Sequence, residues 1–179
     1  LDINVFGKRA GIAAAAYAAT AEFVPLPESP ADAVVEQLEA IRSRASGERV
    51  AELRAALQQT MDANAQVFRT NESLTQALAD VKALQAHYAD VHVQDKSRQF
   101  NLDLLEAVEL GFLLDLAEVV VTGALAREES RGGHFREDFP SRDDEKFMRH
   151  TMAYRHGDTV TLDYKPVVVT RYEPMERKY

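Results

Sequence analysis

The densest group of side chains capable of chemistry lies in residues 127–149, where arginines and carboxylates alternate around two glycines. Ser130, Arg131 and His134 flank Gly132-Gly133, a pair that permits positive φ angles or close approach of the backbone to a neighbour. Such a loop can hold an anionic ligand, brace a neighbouring domain, or use His134 as a general base if a partner orients the ring. A run of mixed charge is usually a solvated surface loop whose charges neutralise one another. Between the two functional interpretations, the residues favour a loop that braces a neighbouring domain over direct chemistry.

The acidic residues of the preceding segment raise the question of a metal site. No Glu-x-x-His pair occurs, although a di-iron helical bundle needs such pairs on facing helices, so no metal site is predicted. Glu109 is unusual because, at 100° per residue, it falls on an apolar side formed by Leu102, Leu105, Leu113, Leu116 and Val120. We therefore expect Glu109 to be buried and paired with an arginine or with backbone donors.

The amino-acid composition limits the classes of function that the chain can have. The 179 residues are 46% hydrophobic and 28% charged, which is ordinary for a folded domain. A net charge of −8 disfavours contact with nucleic acid or anionic lipid, and the lack of cysteine excludes disulfides and thiolate chemistry here. No uncharged apolar run is long enough to span a bilayer, so no direct membrane insertion is expected. Because the chain starts at Leu1 within structured-looking sequence, we expect a fragment.

The elements that must position the charged loop are predominantly helical. Residues 1–20 predict one helix with Asp2 as N-cap, and residues 21–30 a proline-rich linker. Residues 31–127 predict a bundle of three to four helices. Its last helix, 101–127, is apolar on nearly every side and is expected at the centre.

Residues 128–179 predict a different kind of structure. Met152–His156 and Thr159–Tyr164 alternate around His156-Gly157-Asp158, which predicts a β-hairpin with an extended tail after it. Val167-Val168-Val169 could add a short edge strand or lie on the bundle.

Three sequence blocks carry a resemblance to a known family. They are Leu1-Asp2-Ile3-Asn4-Val5-Phe6-Gly7-Lys8-Arg9-Ala10-Gly11, then Arg127-Glu128-Glu129-Ser130-Arg131-Gly132-Gly133-His134-Phe135-Arg136-Glu137-Asp138-Phe139-Pro140, then His150-Thr151-Met152-Ala153-Tyr154. In order and over essentially the whole chain, they resemble the C-terminal third of the succinate dehydrogenase/fumarate reductase flavoprotein subunit. The run Leu162-Asp163-Tyr164-Lys165-Pro166-Val167 is similar to the succinate dehydrogenase branch, and L-aspartate oxidases share a Glu-Ser-Arg-Gly segment.

The resemblance implies a role for each part of the chain. Residues 1–20 would be the last helix of an FAD-binding domain, with Leu1 and Asp2 near the flavin, which gives the N–H groups at that helix end a ligand. Residues 31–127 would be the helical domain, and 128–179 a C-terminal extension. Arg131, His134 and Arg136 would brace the helical domain on the flavin domain. No position that matches a family catalytic residue lies in the chain.

The resemblance also implies the activity of the full subunit. Hydride passes from succinate to flavin N5 of an FAD that is covalently held in the family, and electrons leave through an iron–sulfur subunit toward membrane quinone. Membrane anchor subunits complete complex II, and the flavoprotein would lie peripherally at the cytoplasmic face of the cell membrane in a bacterium. The fragment itself is expected to be inactive and structural. The alternatives are a stand-alone, non-catalytic helical interaction module, or a relative of fumarate reductase or L-aspartate oxidase.

Overall fold

The structure is a computed structural model that describes residues 1–157 and 159–175. The chain divides into two compact units, Leu1–Gln37 and the part from Leu38 onward. The first unit contains α1 (Asp2–Ala18), in which no residue is buried. Leu1 occupies the N-cap position without a side-chain hydrogen bond to the helix, so the prediction of Asp2 as N-cap is wrong. Asp2 lies in the first turn, where a carboxylate stabilises the helix dipole.

The second helix, α2, spans Asp32–Ser43. It runs across the division between the two units, which falls within the helix and not in the proline-rich segment. Ile41, near its C-terminal end, is its buried residue and belongs to the main hydrophobic core.

Three helices form the bundle of the second unit: α3 (Val50–Asn64), α4 (Asn71–Tyr88) and α5 (Leu102–Ala126). Each presents an apolar stripe with helical spacing, and the buried stripe of α4 is Leu74, Ala77 and Val81. Thr70 caps α4 in a reciprocal capping box with Ser73. The mainly helical architecture predicted from sequence is confirmed.

One end of the bundle is closed by a short parallel pair that the sequence did not predict. Strands β1 (Glu48–Arg49) and β2 (Val91–His92) precede α3 and follow α4. Val91, in β2, and Val93 are buried in the same core cluster as Leu110 and Leu114 of α5. This pairing fixes the spacing of the two helix ends next to the start of α5.

The sequence predicted α5 at the centre of the bundle because it is apolar on nearly every side, but within the described residues one of its sides is exposed. Its buried apolar residues follow one stripe at spacings of three and four and are mostly small: Ala107, Leu110, Leu114, Ala117, Val121 and Ala124. The small residues allow close approach of α3 and α4, whereas the face with the largest apolar side chains is exposed. The stripe of α5 with the largest apolar side chains is therefore not the stripe that packs into the core.

Glu109 illustrates this difference. Its side chain is 53% exposed and lies 3.9 Å from Arg54, so the predicted arginine neighbour is present but the predicted burial is wrong. The buried carboxylate of α5 is Glu118, which accepts from Lys82 Nζ at 2.5 Å and from Gln85 Nε2 at 2.8 Å. Both partners lie on α4, so this carboxylate ties α4 to α5.

The C-terminal part contains α6 (Asp144–Phe147) and the strands β3 (Arg149–His156) and β4 (Thr159–Pro166). The strands form an antiparallel hairpin in which His156 pairs with Thr159, which confirms the predicted hairpin. Gly157 in the turn has a φ of +60°, and Asp158 lies outside the described residues. No strand follows Pro166 within residues 167–175, so Val167-Val168-Val169 does not add one.

Within residues 1–157 and 159–175, no helix is both long enough and apolar enough to cross a membrane.

Candidate functional site

The charged loop begins where α5 ends and contains a tight turn. Arg131 and His134 pair through two backbone hydrogen bonds, Arg131 N to His134 O at 2.8 Å and His134 N to Arg131 O at 3.0 Å. Gly132 has a φ of +61°, a conformation that favours glycine, as the sequence predicted. No atom approaches within 4 Å of where a Cβ would stand on Gly132 or Gly133. The glycines therefore serve the turn itself and not a close backbone contact within the described chain.

Glu129 is the charged centre of the loop and has no exposed surface. Its carboxylate accepts from Arg127 Nη1 at 2.6 Å, from Arg131 Nε and Nη2 at 2.8 and 2.9 Å, and from the Asp143 amide at 2.8 Å. Burial, the largest single effect, acts to raise the pKa of Glu129, but the hydrogen bonds from Arg131, the Asp143 amide and Arg127 together outweigh it. The pKa of Glu129 lies below its usual value, so the carboxylate stays charged.

Arg131 connects this centre to the next helix. Besides Glu129, it donates from Nη2 to Asp144 Oδ1 at 2.6 Å, and Asp144 also accepts from Arg142 Nη2 at 2.7 Å. The hydrogen bond to Glu129 is the main cause of a raised pKa for Arg131. Asp143 caps α6 by accepting from the Lys146 amide at 2.9 Å. Arg131 thus holds the short α6 helix against the end of α5.

His134 lies between the side chain of Arg69 and the backbone carbonyl of Arg127. Its Nδ1 is 3.0 Å from Arg69 Nη1, and its Nε2 is 3.0 Å from the Arg127 carbonyl oxygen. A guanidinium can only donate and a carbonyl can only accept, so Nδ1 is the acceptor and Nε2 carries the proton. Burial lowers the pKa of His134, and the nearby arginines act in the same direction. Because both ring nitrogens are engaged, the neutral imidazole here is a structural connector and not a poised general base.

Arg136 is fully buried and joins the ends of two helices. Its Nη1 donates to the Ala124 and Leu125 carbonyl oxygens of α5, both at 3.1 Å, while Nε and Nη2 form a bidentate pair with Asp138, both at 2.8 Å. Asp138 also accepts from the Asn71 amide at the start of α4 at 2.8 Å. The hydrogen bond from Arg136 is the main cause that lowers the pKa of Asp138 to about 2.

The signs of these charges suit the helix ends they contact. A cation at the C-terminus of α5 and an anion at the N-terminus of α4 each oppose the partial charge of that helix end. The predicted bracing residues Arg131, His134 and Arg136 therefore come together in one cluster, and within the described residues they brace the chain's own helices. The sequence did not predict that Glu129 and Arg136 are buried, because runs of mixed charge usually lie at the surface. Nor did it predict Arg69, which no local motif marks.

A cleft of about 450 Å³ lies beside this cluster, between the turn and the start of β3. Its lining includes Arg127, Arg131, Arg149 and His150. Leu1 and Asp2, the predicted flavin-proximal residues, are exposed at the start of α1 in the other unit. That helix end offers only the backbone N–H groups of its first turn. Among residues 1–157 and 159–175, no three histidine, aspartate or glutamate side chains come together as metal ligands would.

Comparisons with known proteins agree on one family. The fumarate reductase flavoprotein C-terminal family profile matches residues 54–179. The chain is 41% identical over 186 aligned positions to the fumarate reductase flavoprotein subunit of Mycobacterium tuberculosis, which covers 99% of this chain and 32% of that protein. It is 41% identical over 172 positions to the succinate dehydrogenase flavoprotein subunit of Rickettsia bellii, covering 95% of this chain and 29% of that protein.

The fold comparison gives the same result. A chain of an E. coli quinol fumarate reductase mutant superimposes with a TM-score of 0.88 and 35% identity, covering 96% of this chain and 30% of that one. The chain thus spans about a third of the length of the curated relatives it matches. Matching sequence, matching fold and near-complete coverage lead to one conclusion: this chain belongs to the succinate dehydrogenase/fumarate reductase flavoprotein subunit family and corresponds to its C-terminal part.

Proposed function

We propose that this chain is the structural C-terminal third of the flavoprotein subunit of a succinate:quinone oxidoreductase, whose complete form oxidises succinate to fumarate. The observation that carries the proposal is 41% identity across 99% of the chain to a flavoprotein subunit of this family. A second support is the charged loop, whose buried groups are satisfied by one another, as expected of a brace. No residue of this chain is proposed as catalytic.

The proposed cofactor of the complete subunit is FAD, held covalently by residues outside this chain, and when bound it would accept hydride from succinate. The residues present fit only one edge of such a group. The first turn of α1 offers unpaired N–H donors next to Leu1 and Asp2, but α1 buries no residue. We therefore assign Leu1 and Asp2 a position near the flavin and nothing more.

The proposed partners are an iron–sulfur subunit and membrane anchor subunits, as in complex II. In a bacterium the subunit would lie peripherally at the cytoplasmic face of the cell membrane. The support is that the matched E. coli chain belongs to a quinol fumarate reductase. Quinol is a lipid-soluble substrate. Co-purification of the complete subunit with an iron–sulfur protein tests this assignment.

Fumarate reduction is the second candidate function. The specific observation in its favour is that relatives named fumarate reductase and succinate dehydrogenase match at the same identity, 41%. Steady-state rates of succinate oxidation and of fumarate reduction, measured on the complete enzyme, decide between the two. A complete protein that contains no flavin and supports neither reaction would favour a non-catalytic helical module, and oxidation of L-aspartate would favour the oxidase branch.

The bracing role is tested by Arg131→Ala in the complete subunit. Loss of the pairs to Glu129 and Asp144 should loosen the helical domain on the flavin domain, lowering the flavin content or the rate of succinate oxidation at least twofold. The control is Arg142→Ala, which removes another cation from Asp144 but leaves Glu129 untouched. If flavin content and turnover are unchanged in both variants, the loop has no bracing role between the domains.

A further inference from the structure

The cleft beside the charged loop, hereafter the basic cleft, carries side chains of one charge sign. Its polar lining consists of three arginines, two histidines and one threonine: Arg127, Arg131, Arg149, His134, His150 and Thr151. The other lining residues are apolar, so no carboxylate of the described chain lines the cleft. This contrasts with the net charge of −8 of the whole chain. A cleft lined by charges of one sign concentrates ligands of the opposite sign.

Arg149 is the lining arginine that has no carboxylate partner among residues 1–157 and 159–175. Its guanidinium stacks on the Tyr164 ring, with Cζ 3.7 Å from the ring centroid, and lies 5.6 Å from the centroid of Phe147. Its Nε is buried without an acceptor in the described chain. Aromatic rings thus fix the plane of this guanidinium, whereas the N–H groups at its edge have nothing in the described chain to bond. A cation partly removed from water without an anion is costly, so Arg149 lacks a partner that the native protein should have.

The ion pairs of the other two lining arginines do not compensate Arg149. Arg127 and Arg131 both donate to Glu129, and Arg131 also pairs with Asp144. These two carboxylates at most neutralise the two arginines, so the positive charge of Arg149 is not balanced within the cleft. The hydrogen bonds of Arg131 use Nε and Nη2, which leaves its Nη1 as a second donor for a ligand.

Arg136, in the same loop, provides an internal comparison. Its Nη1 donates to the carbonyl oxygens of Ala124 and Leu125, and its Nε and Nη2 donate to Asp138. The fold therefore supplies an acceptor to each nitrogen of an arginine that serves as a brace. Arg149 has aromatic neighbours and no acceptor, which favours a role in binding over a role in bracing.

We propose that the basic cleft binds a small oxyanion, a phosphate or a carboxylate, with Arg149 as its main anchor. The fork of N–H groups on a guanidinium matches two oxygens of either ligand. Arg131 Nη1 supplies a further donor from the opposite side chain of the lining. The cleft volume of about 450 Å³ accommodates such an ion together with ordered water. The site is distinct from the proposed oxidation of succinate and does not depend on it.

Isothermal titration calorimetry on the complete subunit tests the proposal. Inorganic phosphate and citrate are titrated separately at an ionic strength held constant with sodium chloride, and the tighter ligand identifies the preferred class of oxyanion. We expect saturable binding that Arg149→Gln weakens by about tenfold, the loss typical of one charge-assisted hydrogen-bond partner. Arg149→Lys, which keeps the charge but not the fork, should fall between the two.

Lys165→Gln is the matched control. Lys165 is exposed on β4 and does not line the cleft, so this variant removes one positive charge from the same hairpin and should bind the ion as the unsubstituted subunit does. Equal weakening in Arg149→Gln and Lys165→Gln indicates general attraction of anions and overturns the proposal. Binding that Arg149→Gln leaves unchanged overturns it as well.

Hydrogen exchange of the unsubstituted subunit is the second measurement, and it decides the matter if the variants fail to fold. The bound ion should slow amide exchange in residues 147–151 at the cleft and leave the hairpin end near Gly157 unchanged. Slowing elsewhere but not at the cleft overturns the proposal. The absence of saturable binding also overturns it, and indicates that the complete subunit fills the cleft with a group of its own.

Discussion

At the scale of single residues, the charged loop depends on Glu129. A buried carboxylate is costly unless donors surround it, and here two guanidinium groups and one amide do so. The same interactions keep Arg127 and Arg131 in place, since both donate to Glu129 Oε1. Removing this charge leaves two cations close together without the buried carboxylate between them.

We therefore predict that Glu129→Gln lowers the free energy of unfolding by about 3 kcal/mol, the typical cost of breaking a buried ion pair. The adjacent Glu128 is exposed, so Glu128→Gln is the matched control and should change stability by less than about 0.5 kcal/mol. Urea unfolding followed by circular dichroism measures both. Equal, small losses in the two variants would contradict the role given to Glu129.

His134 predicts a pH dependence whose sign follows from its lowered pKa. Above its usual value of 6.5 the imidazole is neutral in both states. Below 6.5 the unfolded chain binds a proton that the folded chain resists, so stability falls by up to about 1.4 kcal/mol per pH unit. Asp138 adds a second loss as the pH falls from 3.8 toward its folded pKa of about 2. Unfolding measured from pH 7.5 to 5 in the protein and in His134→Gln should show the first loss only in the unsubstituted protein.

At the scale of elements, the packing of α4 on α5 depends on one glycine. Tyr88 Oη donates to the Ala107 carbonyl at 3.0 Å, directly over Gly111, where a Cβ would lie 2.6 Å from Oη. We predict that Gly111→Ala lowers the free energy of unfolding by about 1–3 kcal/mol, because the tyrosine must move and lose its acceptor.

Gly123 in the same helix is the matched control. Nothing lies within 4 Å of where its Cβ would stand, so Gly123→Ala should stabilise the protein by up to ~1 kcal/mol through helix propensity alone. The two substitutions are chemically identical, and their opposite signs in urea unfolding are the test. A similar effect of both would mean that Tyr88 does not require the glycine.

At the scale of the whole second unit, Arg127 joins the bundle to the hairpin. From the end of α5 it donates to the Phe147 and Arg149 carbonyl oxygens at 3.0 and 2.7 Å and to Thr151 Oγ1 at 3.0 Å. The ion pair of Arg155 with Asp115 is a second link between β3 and α5.

We predict that Arg127→Ala releases the start of β3 and accelerates amide hydrogen exchange in Arg149–His156 at least tenfold, while exchange in the core of α4 changes little. Arg142→Ala removes a nearby arginine without touching β3 and should leave this exchange unchanged. Uniform acceleration over the whole chain would instead indicate global destabilisation.

The sequence by itself determined the helices of the bundle, the hairpin and the turn glycine, because apolar periodicity and turn chemistry act over a few neighbouring positions. The family also followed from sequence blocks alone. The short β1–β2 pair and the link from Arg69 to His134 could not be predicted. The paired residues are 43 and 65 positions apart in the sequence, and no local pattern connects them.

Only the tertiary structure decided which stripe of α5 is buried and which carboxylate is paired in the core. A helix that is apolar on most sides has several candidate core faces. The choice depends on which neighbours approach, and small side chains such as Ala107 and Ala117 allow the closer approach. Likewise, mixed charge in a sequence does not reveal burial. Glu129 and Arg136 are buried because their partners come from separate elements that only the fold brings together.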